Sequence, residues 1–196
     1  MDWKDLTRIA DFADFLGISL GILQVARRQR SYIYVEETRT IKKKARKLCY
    51  PPRESELRHV QTAIKNKCLA NLPLSDAVQG YRKGRHNINC SEAIAGVAYV
   101  AKLDIKDFHP SIRPTLVKRA LRRFGVSHEM CRIVTQLVTF KNCVPQGAPT
   151  SNHIANLIID MVVADGVLRF CAARGVIVVN FGDDTAFGGR GPRAGE

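Results

Sequence analysis

Three carboxylates carry the strongest chemical signal in this chain. Asp104 ends an apolar strand within Lys102-Leu103-Asp104-Ile105-Lys106-Asp107-Phe108. Asp183 and Asp184 sit at the tip of a hairpin whose first strand, Val176 to Phe181, has no polar side chain until Asn180. Acids at the ends of buried apolar strands are costly to desolvate unless an opposite charge compensates. A hard divalent cation does so well: Mg²⁺ takes oxygen ligands, keeps waters, and is usually held by one or two carboxylates plus substrate phosphates. Three carboxylates on neighbouring strands can hold two such ions about 3.5–4 Å apart, one acidifying an attacking hydroxyl and the other neutralising a leaving pyrophosphate. Each feature alone has an ordinary explanation, a helix cap at Asp104 and a Gly-Asp hairpin turn at Asp183. Their conjunction with a basic region upstream favours the chemistry.

The basic region is concentrated. The 196 residues hold 31 Lys and Arg against 18 acids, a net charge of +13. Between Arg27 and Arg85 there are 16 Lys or Arg and 5 Asp or Glu. Such a patch suits a polyanion, either nucleic acid or a nucleoside triphosphate. Within it, Gly80-Tyr81-Arg82-Lys83-Gly84-Arg85-His86 has the composition of a backbone lying near phosphates, although alone it would read as a solvated loop. The six cysteines form no C-x-x-C pair, so they read as reduced, mostly buried thiols of a cytosolic protein. No signal peptide opens the chain. The longest apolar stretch, Ile154 to Phe170, is interrupted by Asn156, Asp160 and Asp165 and falls short of a bilayer.

The elements that must position these residues follow from periodicity. Residues 2–30 read as helical with Gly17 as punctuation, and Tyr32 to Val35 and Lys47 to Tyr50 as strands around a basic turn at Lys42 to Lys44. Residues 54–71 read as an amphipathic helix with Leu57, Val60, Ile64 and Cys68 on one face. Tyr99 to Ile105 reads as a strand, 113–124 and 127–138 as helices. A long helix, capped by Ser151, runs to about Ala173 and stops at Gly175. The hairpin of Val176 to Phe181 and Asp184 to Phe187 turns at Gly182-Asp183. The expected organisation is an N-terminal helical segment (1–31), a basic region (32–97), a region with the catalytic aspartates (98–188), and a tail or truncation scar (189–196).

In order along the chain stand the basic stretch Ile41 to Pro51, the segment Gly80 to Arg85, the motif Leu103-Asp104-Ile105-Lys106-Asp107-Phe108-His109-Pro110-Ser111-Ile112, the loop Pro145-Gln146-Gly147-Ala148-Pro149-Thr150-Ser151, and Phe181-Gly182-Asp183-Asp184. With these motifs the chain resembles the bacterial reverse transcriptases, the group of retron, group II intron and defence-associated enzymes. The resemblance implies an α+β right-hand polymerase: basic fingers, and a palm whose antiparallel sheet packs on helices, with the thumb absent. It implies that Asp104, Asp183 and Asp184 are catalytic and that they hold metal ions together with the Ile105 carbonyl. Arg46, with Lys44 nearby, would hold the incoming triphosphate, for which planar bidentate arginine contacts are suited. Asp107, Phe108, His109, Gln146 and Gly147 would line the nucleotide pocket. Arg82, Lys83 and Arg85 would contact nucleic acid.

Two motif positions depart from the family. His109 stands where an aromatic usually excludes the ribose 2′-hydroxyl, and Phe181 replaces the tyrosine of the usual Tyr-x-Asp-Asp box. Gly-Asp-Asp is also shared with RNA-dependent RNA polymerases. Residues 88–93 lack the Asn-Ala-x-x-His pattern of typical retron enzymes. The expected activity is RNA-directed DNA synthesis with Mg²⁺, or alternatively Mn²⁺. The expected partners are an RNA template and primer, deoxynucleoside triphosphates and a cognate non-coding RNA, without a membrane, in a prokaryotic cytoplasm. The alternatives are a catalytically incompetent RNA-binding fragment and a palm-type RNA polymerase.

Overall fold

Gly17 separates the first two helices by a change of backbone hand. Its φ of +69° places it in the left-handed region that glycine enters without steric cost. α1 (Ile9–Leu16) ends there, and α2 (Leu20–Gln29) begins after Ser19, whose hydroxyl accepts the Ile22 N–H. The computed structural model describes residues 2–41 and 44–189. The two helices expected on either side of Gly17 are present, while Trp3–Asp5, expected to be part of the first, forms a short 3₁₀ turn ahead of α1.

β1 (Val35–Ile41) and β2 (Lys44–Tyr50) form an antiparallel hairpin, with β1 starting three residues later than expected from Tyr32. Lys42 and Lys43, the centre of the expected basic turn, lie outside the described residues. α3 (Glu56–Ile64) is capped by Ser55 and continues into a wider π turn at Lys65–Leu69. Leu57, Val60, Ile64 and Cys68 are all fully buried, as the periodicity predicts. Each large apolar side chain so buried contributes roughly 1.5–3 kcal/mol.

α4 (Asn87–Ala93) leads into β3 (Tyr99–Asp104), α5 (Phe108–Ser111), α6 (Pro114–Arg123) and α7 (His128–Val138). α8 (Ser151–Val162), a π turn (Val163–Val167) and α9 (Leu168–Ala172) follow end to end, so the expected long helix is present with an irregular middle. Ser151 lies inside its first turn. Instead of capping, its hydroxyl donates to the Pro145 carbonyl at 2.5 Å and ties down the preceding loop. β4 (Val176–Phe181) and β5 (Asp184–Gly189) complete a three-stranded antiparallel sheet of order β3-β5-β4.

Two compact units result, and neither is contiguous. One comprises Met1–Leu72 and His109–Ile154, the other Pro73–Phe108 and Ala155–Glu196. Each unit is assembled from two segments that are separated in the chain. The sheet of the second unit is covered on β4 by α4 and α9. Gly188 and Gly189, expected near a structureless end, are buried in β5, and the Tyr99 ring lies over Gly189 where a side chain would stand. Among the described residues no single helix is long and apolar enough to cross a membrane.

All six cysteines are free, with Cys68, Cys131 and Cys171 buried and the others half-buried. Burial pushes the Cys49 thiol up to about 11 and the Cys68 thiol up to about 12, so neither is primed as a nucleophile at neutral pH.

Candidate active site

The hairpin of β4 and β5 turns on two residues, Gly182 and Asp183, between the cross-strand partners Phe181 and Asp184. Gly182 has φ +69°, at the first loop position, where tight hairpins favour glycine. Asn180, the lone polar residue of β4, is fully buried and sits under this turn. Its amide Nδ2 reaches the carbonyls of Gly182 (3.1 Å) and Asp184 (2.9 Å) and the hydroxyl of Thr185 (2.9 Å). One side chain thereby holds the backbone on both sides of the two aspartates. Sequence reasoning noticed Asn180 only as an interruption in an apolar strand. That interruption was the available signal, because a polar side chain inside an apolar strand is retained where it has groups to bond, here through Nδ2.

A second support comes from the glycine loop. Backbone hydrogen bonds run from Gln79 N–H to the Asn180 carbonyl (2.9 Å) and from Asn180 N–H to the Ala77 carbonyl (2.7 Å). Gly80 then passes so close to the hairpin that a Cβ there would lie 2.7 Å from the Gly182 nitrogen. Its own carbonyl accepts from the Asn156 side chain at 2.6 Å. The Tyr81 and Phe181 rings are 5.9 Å apart. Arg82 turns onto its own segment, donating to the carbonyls of Ser75 (2.9 Å) and Val78 (2.8 Å), and Arg85 pairs with Asp76 at 2.9 Å. The segment expected to lie along phosphates therefore serves first as a strut for the Asp-Asp turn. Lys83 is exposed on it.

β3 supplies the third carboxylate. Asp104 is the direct cross-strand partner of Asp184, and the Ile105 N–H donates to the Asp183 carbonyl at 3.1 Å. The expected burial of this strand is corrected: all six residues of β3 are exposed. The reason is topological, since β3 is an edge strand and the helices pack on β4 instead. Asp104 is exposed, while Asp183 and Asp184 are half-buried, so desolvation alone does not demand a cation. The Lys102 ammonium lies 3.0 Å from the Asp184 carboxylate.

The donor set suits a hard cation, being oxygen throughout, and an ammonium already stands at one carboxylate. Among the described residues no three His, Cys, Asp or Glu side chains converge as a metal cluster. The backbone register juxtaposes the three aspartates, and their side chains would have to rotate inward to share an ion.

The remaining expected site residues belong to the first unit, except Asp107 and Phe108. Arg46 is exposed on β2, directly opposite Arg39 of β1. Like charges directly opposite on a hairpin are unfavourable, and an anion between them relieves the cost. Arg39 is partly offset by Glu37, 2.5 Å away. Lys44 opens β2 opposite Ile41. The Gln146 carbonyl accepts the Cys49 N–H at 2.7 Å, which fastens the Pro145 to Ser151 loop to β2. Gly147, at φ +117°, lies against Cys49 and Tyr50. Arg46, Gln146 and Gly147 are thereby brought onto neighbouring backbone. His109 Nε2 is 3.2 Å from Asn152 Oδ1, which ties this side chain to the first turn of α8. In the second unit, Asp107 adopts φ +50°, and Phe108 is buried, so its side chain packs rather than lines an open surface.

Comparisons with known proteins bear on the family and the fold. The family described as reverse transcriptase (RNA-dependent DNA polymerase) matches residues 40–195. The retron Ec86 reverse transcriptase of Escherichia coli is 28% identical over 155 residues, covering 79% of this chain and 48% of that protein. The retron Mx162 reverse transcriptase of Myxococcus xanthus is 29% identical over 151 residues, covering 67% of this chain and 31% of that protein. The chain thus spans about half, or less, of the length of these relatives. Among solved structures, telomerase from Candida albicans in complex with a fragment of telomeric RNA is similar with a TM-score of 0.55 at 10% identity, over 82% of this chain and 38% of its own. The mixed helices and antiparallel sheets are those of reverse transcriptase fingers and palm. From its motifs, its fold and this match over most of its length, the chain belongs to the reverse transcriptase family.

Proposed function

We propose that this chain carries the nucleotide-adding machinery of an RNA-directed DNA polymerase, which extends a primer 3′-hydroxyl on an RNA template with deoxynucleoside triphosphates. The observation that supports it most is the register that sets Asp104 opposite Asp184 and bonds Ile105 to the Asp183 backbone. Two divalent cations, Mg²⁺ or Mn²⁺, would be held by Asp104, Asp183, Asp184 and the Ile105 carbonyl, and would supply acidification of the hydroxyl and neutralisation of the pyrophosphate. Asn180 and the Gly80 strut hold the backbone of the turn, so only the carboxylate side chains have to move to share an ion. Lys102 balances Asp184 in the unloaded protein. Arg46, beside Arg39, binds the triphosphate, with Lys44 adding charge. Gln146 and Gly147 support the nucleotide from the loop fastened to β2, with Asp107 and the Phe108 backbone beside the first aspartate. Lys83 and Arg85, and Arg82 where it can leave its carbonyls, contact nucleic acid. A cognate non-coding RNA is included among the partners.

His109 favours keeping a second reading, RNA synthesis. Its imidazole is smaller than a phenylalanine or tyrosine ring and polar, and its hydrogen bond to Asn152 orients it. Primer extension on an RNA template with Mg²⁺, run in parallel with deoxynucleotides and ribonucleotides, tests both. Deoxynucleotide extension is expected. A ribonucleotide preference moves the assignment to RNA synthesis. No extension by a folded, RNA-binding chain identifies a binding fragment and overturns the polymerase reading.

Replacing Arg46 by Ala is expected to raise the KM for nucleotide about tenfold or more, from loss of charge-assisted hydrogen bonds worth roughly 1.5–3 kcal/mol. The kcat is expected to change less. Steady-state extension over a nucleotide series measures both, and an unchanged KM removes Arg46 from the triphosphate site.

A further inference from the structure

A groove in the first unit is left unused by this mechanism. Two abutting cavities, about 520 Å³ and about 340 Å³, share Arg30 and Gln136 in their walls. The walls come from the C-terminal end of α2, from α6, and from α7 with the turn that follows it. Arg27, Arg28 and Arg30 line one side, with Lys118 and Lys141 beyond them. No carboxylate lines either cavity among the described residues. Among the described residues Lys141 pairs with Glu36 at 2.5 Å, Arg27 reaches Gln136 at 3.4 Å and lies within the field of Glu129, and Arg28, Arg30 and Lys118 make no ion pair.

Helix dipoles account for part of this. Arg27 and Arg28 lie in the last turn of α2, where cations are favoured by about 0.3–1 kcal/mol each. Lys118 lies in the N-terminal half of α6, where the dipole offers a cation no help. Arg28, Arg30 and Lys118, which make no ion pair among the described residues, repel one another, and a bound polyanion removes that cost.

Two further details point to a strand of nucleic acid. Thr135 lines the larger cavity, is 2% exposed, and its hydroxyl has no hydrogen-bond partner among the described residues. A buried hydroxyl left over calls for a ligand or water to satisfy it. Phe140 lines the same cavity, half-buried, stacked on Tyr34 at 4.2 Å and with the Lys141 ammonium 5.4 Å from its ring centre, an aromatic–cation pair that suits a base or ribose beside a phosphate. The two cavities form a run rather than a closed chamber, which suits a chain of phosphates better than one nucleotide.

We propose that this groove is a second RNA-contact surface, binding a single-stranded phosphodiester backbone through Arg28, Arg30 and Lys118. It shares no residue with the nucleotide-handling positions assigned above, and it rests on the reading that the protein acts on RNA.

The test is fluorescence-anisotropy binding of a single-stranded RNA of about 30 nucleotides across a salt series, using the full chain. The triple variant R28Q/R30Q/K118Q is compared with wild type and with R8Q/R53Q/R122Q, which removes the same charge from exposed sites outside the groove. Three lost phosphate contacts are expected to make the log K against log salt slope shallower by about 2, and to lower affinity at least about tenfold near 100 mM salt. The control triple is expected to lose far less. Equal affinity and slope in wild type and the groove variant overturn the proposal, and so does an equal loss in the control, since the effect would then be total charge. Primer extension by wild type, measured separately, tests the polymerase reading, so the two can fail independently.

Discussion

Asp183→Ala is expected to abolish primer extension, lowering the rate at least about a thousandfold, or about 4 kcal/mol of transition-state stabilisation. RNA affinity is expected to stay within about twofold of wild type. The selectivity of the effect follows from the local structure. The structural hydrogen bond at this position uses the Asp183 carbonyl, which accepts from Ile105 and survives the substitution. The carboxylate is half-buried and makes no ion pair among the described residues, so its removal leaves no buried charge unpaired. Asp183→Asn, which keeps the size and loses the charge, is expected to be nearly as inactive. Single-turnover extension with each variant is the measurement. Retention of more than a tenth of wild-type activity by Asp183→Ala would remove Asp183 from the metal ligands.

Asn180→Ala is expected to lower both stability and turnover. Three groups lose their partner at once: the Gly182 and Asp184 carbonyls and the Thr185 hydroxyl. Leaving buried groups unsatisfied costs roughly 1–3 kcal/mol each, partly offset by relaxation of the turn. A net loss of about 2 kcal/mol lowers the melting temperature by roughly 4–8 °C in a chain of this size. Because Asn180 acts through the turn and touches no substrate in the proposed reaction, it is a positioning residue. Well below the melting temperature of both proteins, kcat is expected to fall about tenfold or more while the nucleotide KM stays constant. Asn180→Ser, which restores one donor, is expected to recover part of the rate. A variant that melts earlier yet turns over normally shows that Asn180 only stabilises the sheet.

Much of the candidate site was legible because its chemistry is local. Gly182-Asp183 between apolar strands specifies a tight turn, and Ser-capped, periodic helices such as α3 declare their buried face through spacing alone. The motif Leu103 to Ile112 and the loop Pro145 to Ser151 carried the family resemblance residue by residue. Arg82 illustrates where such reading stops. Its position in a glycine-rich basic loop suggests a phosphate contact, but the carbonyls of Ser75 and Val78 claim its guanidinium, and only folding brings them there. The exposure of β3 was hidden for a related reason. An apolar run signals burial on average, whereas burial depends on which strand the helices cover.

By itself, then, the sequence determined the order of the candidate carboxylates and motifs, the turns and caps that surround them, and the basic character of the chain, since all of these depend on neighbours within a few residues. The tertiary structure decided which distant segments meet: Asp104 opposite Asp184, Gly80 pressed against Gly182, Arg46 opposite Arg39, and two units each assembled from separated stretches. These contacts depend on strand register and close packing between residues far apart in the chain, where many pairings satisfy the same local pattern and only the packed core selects one.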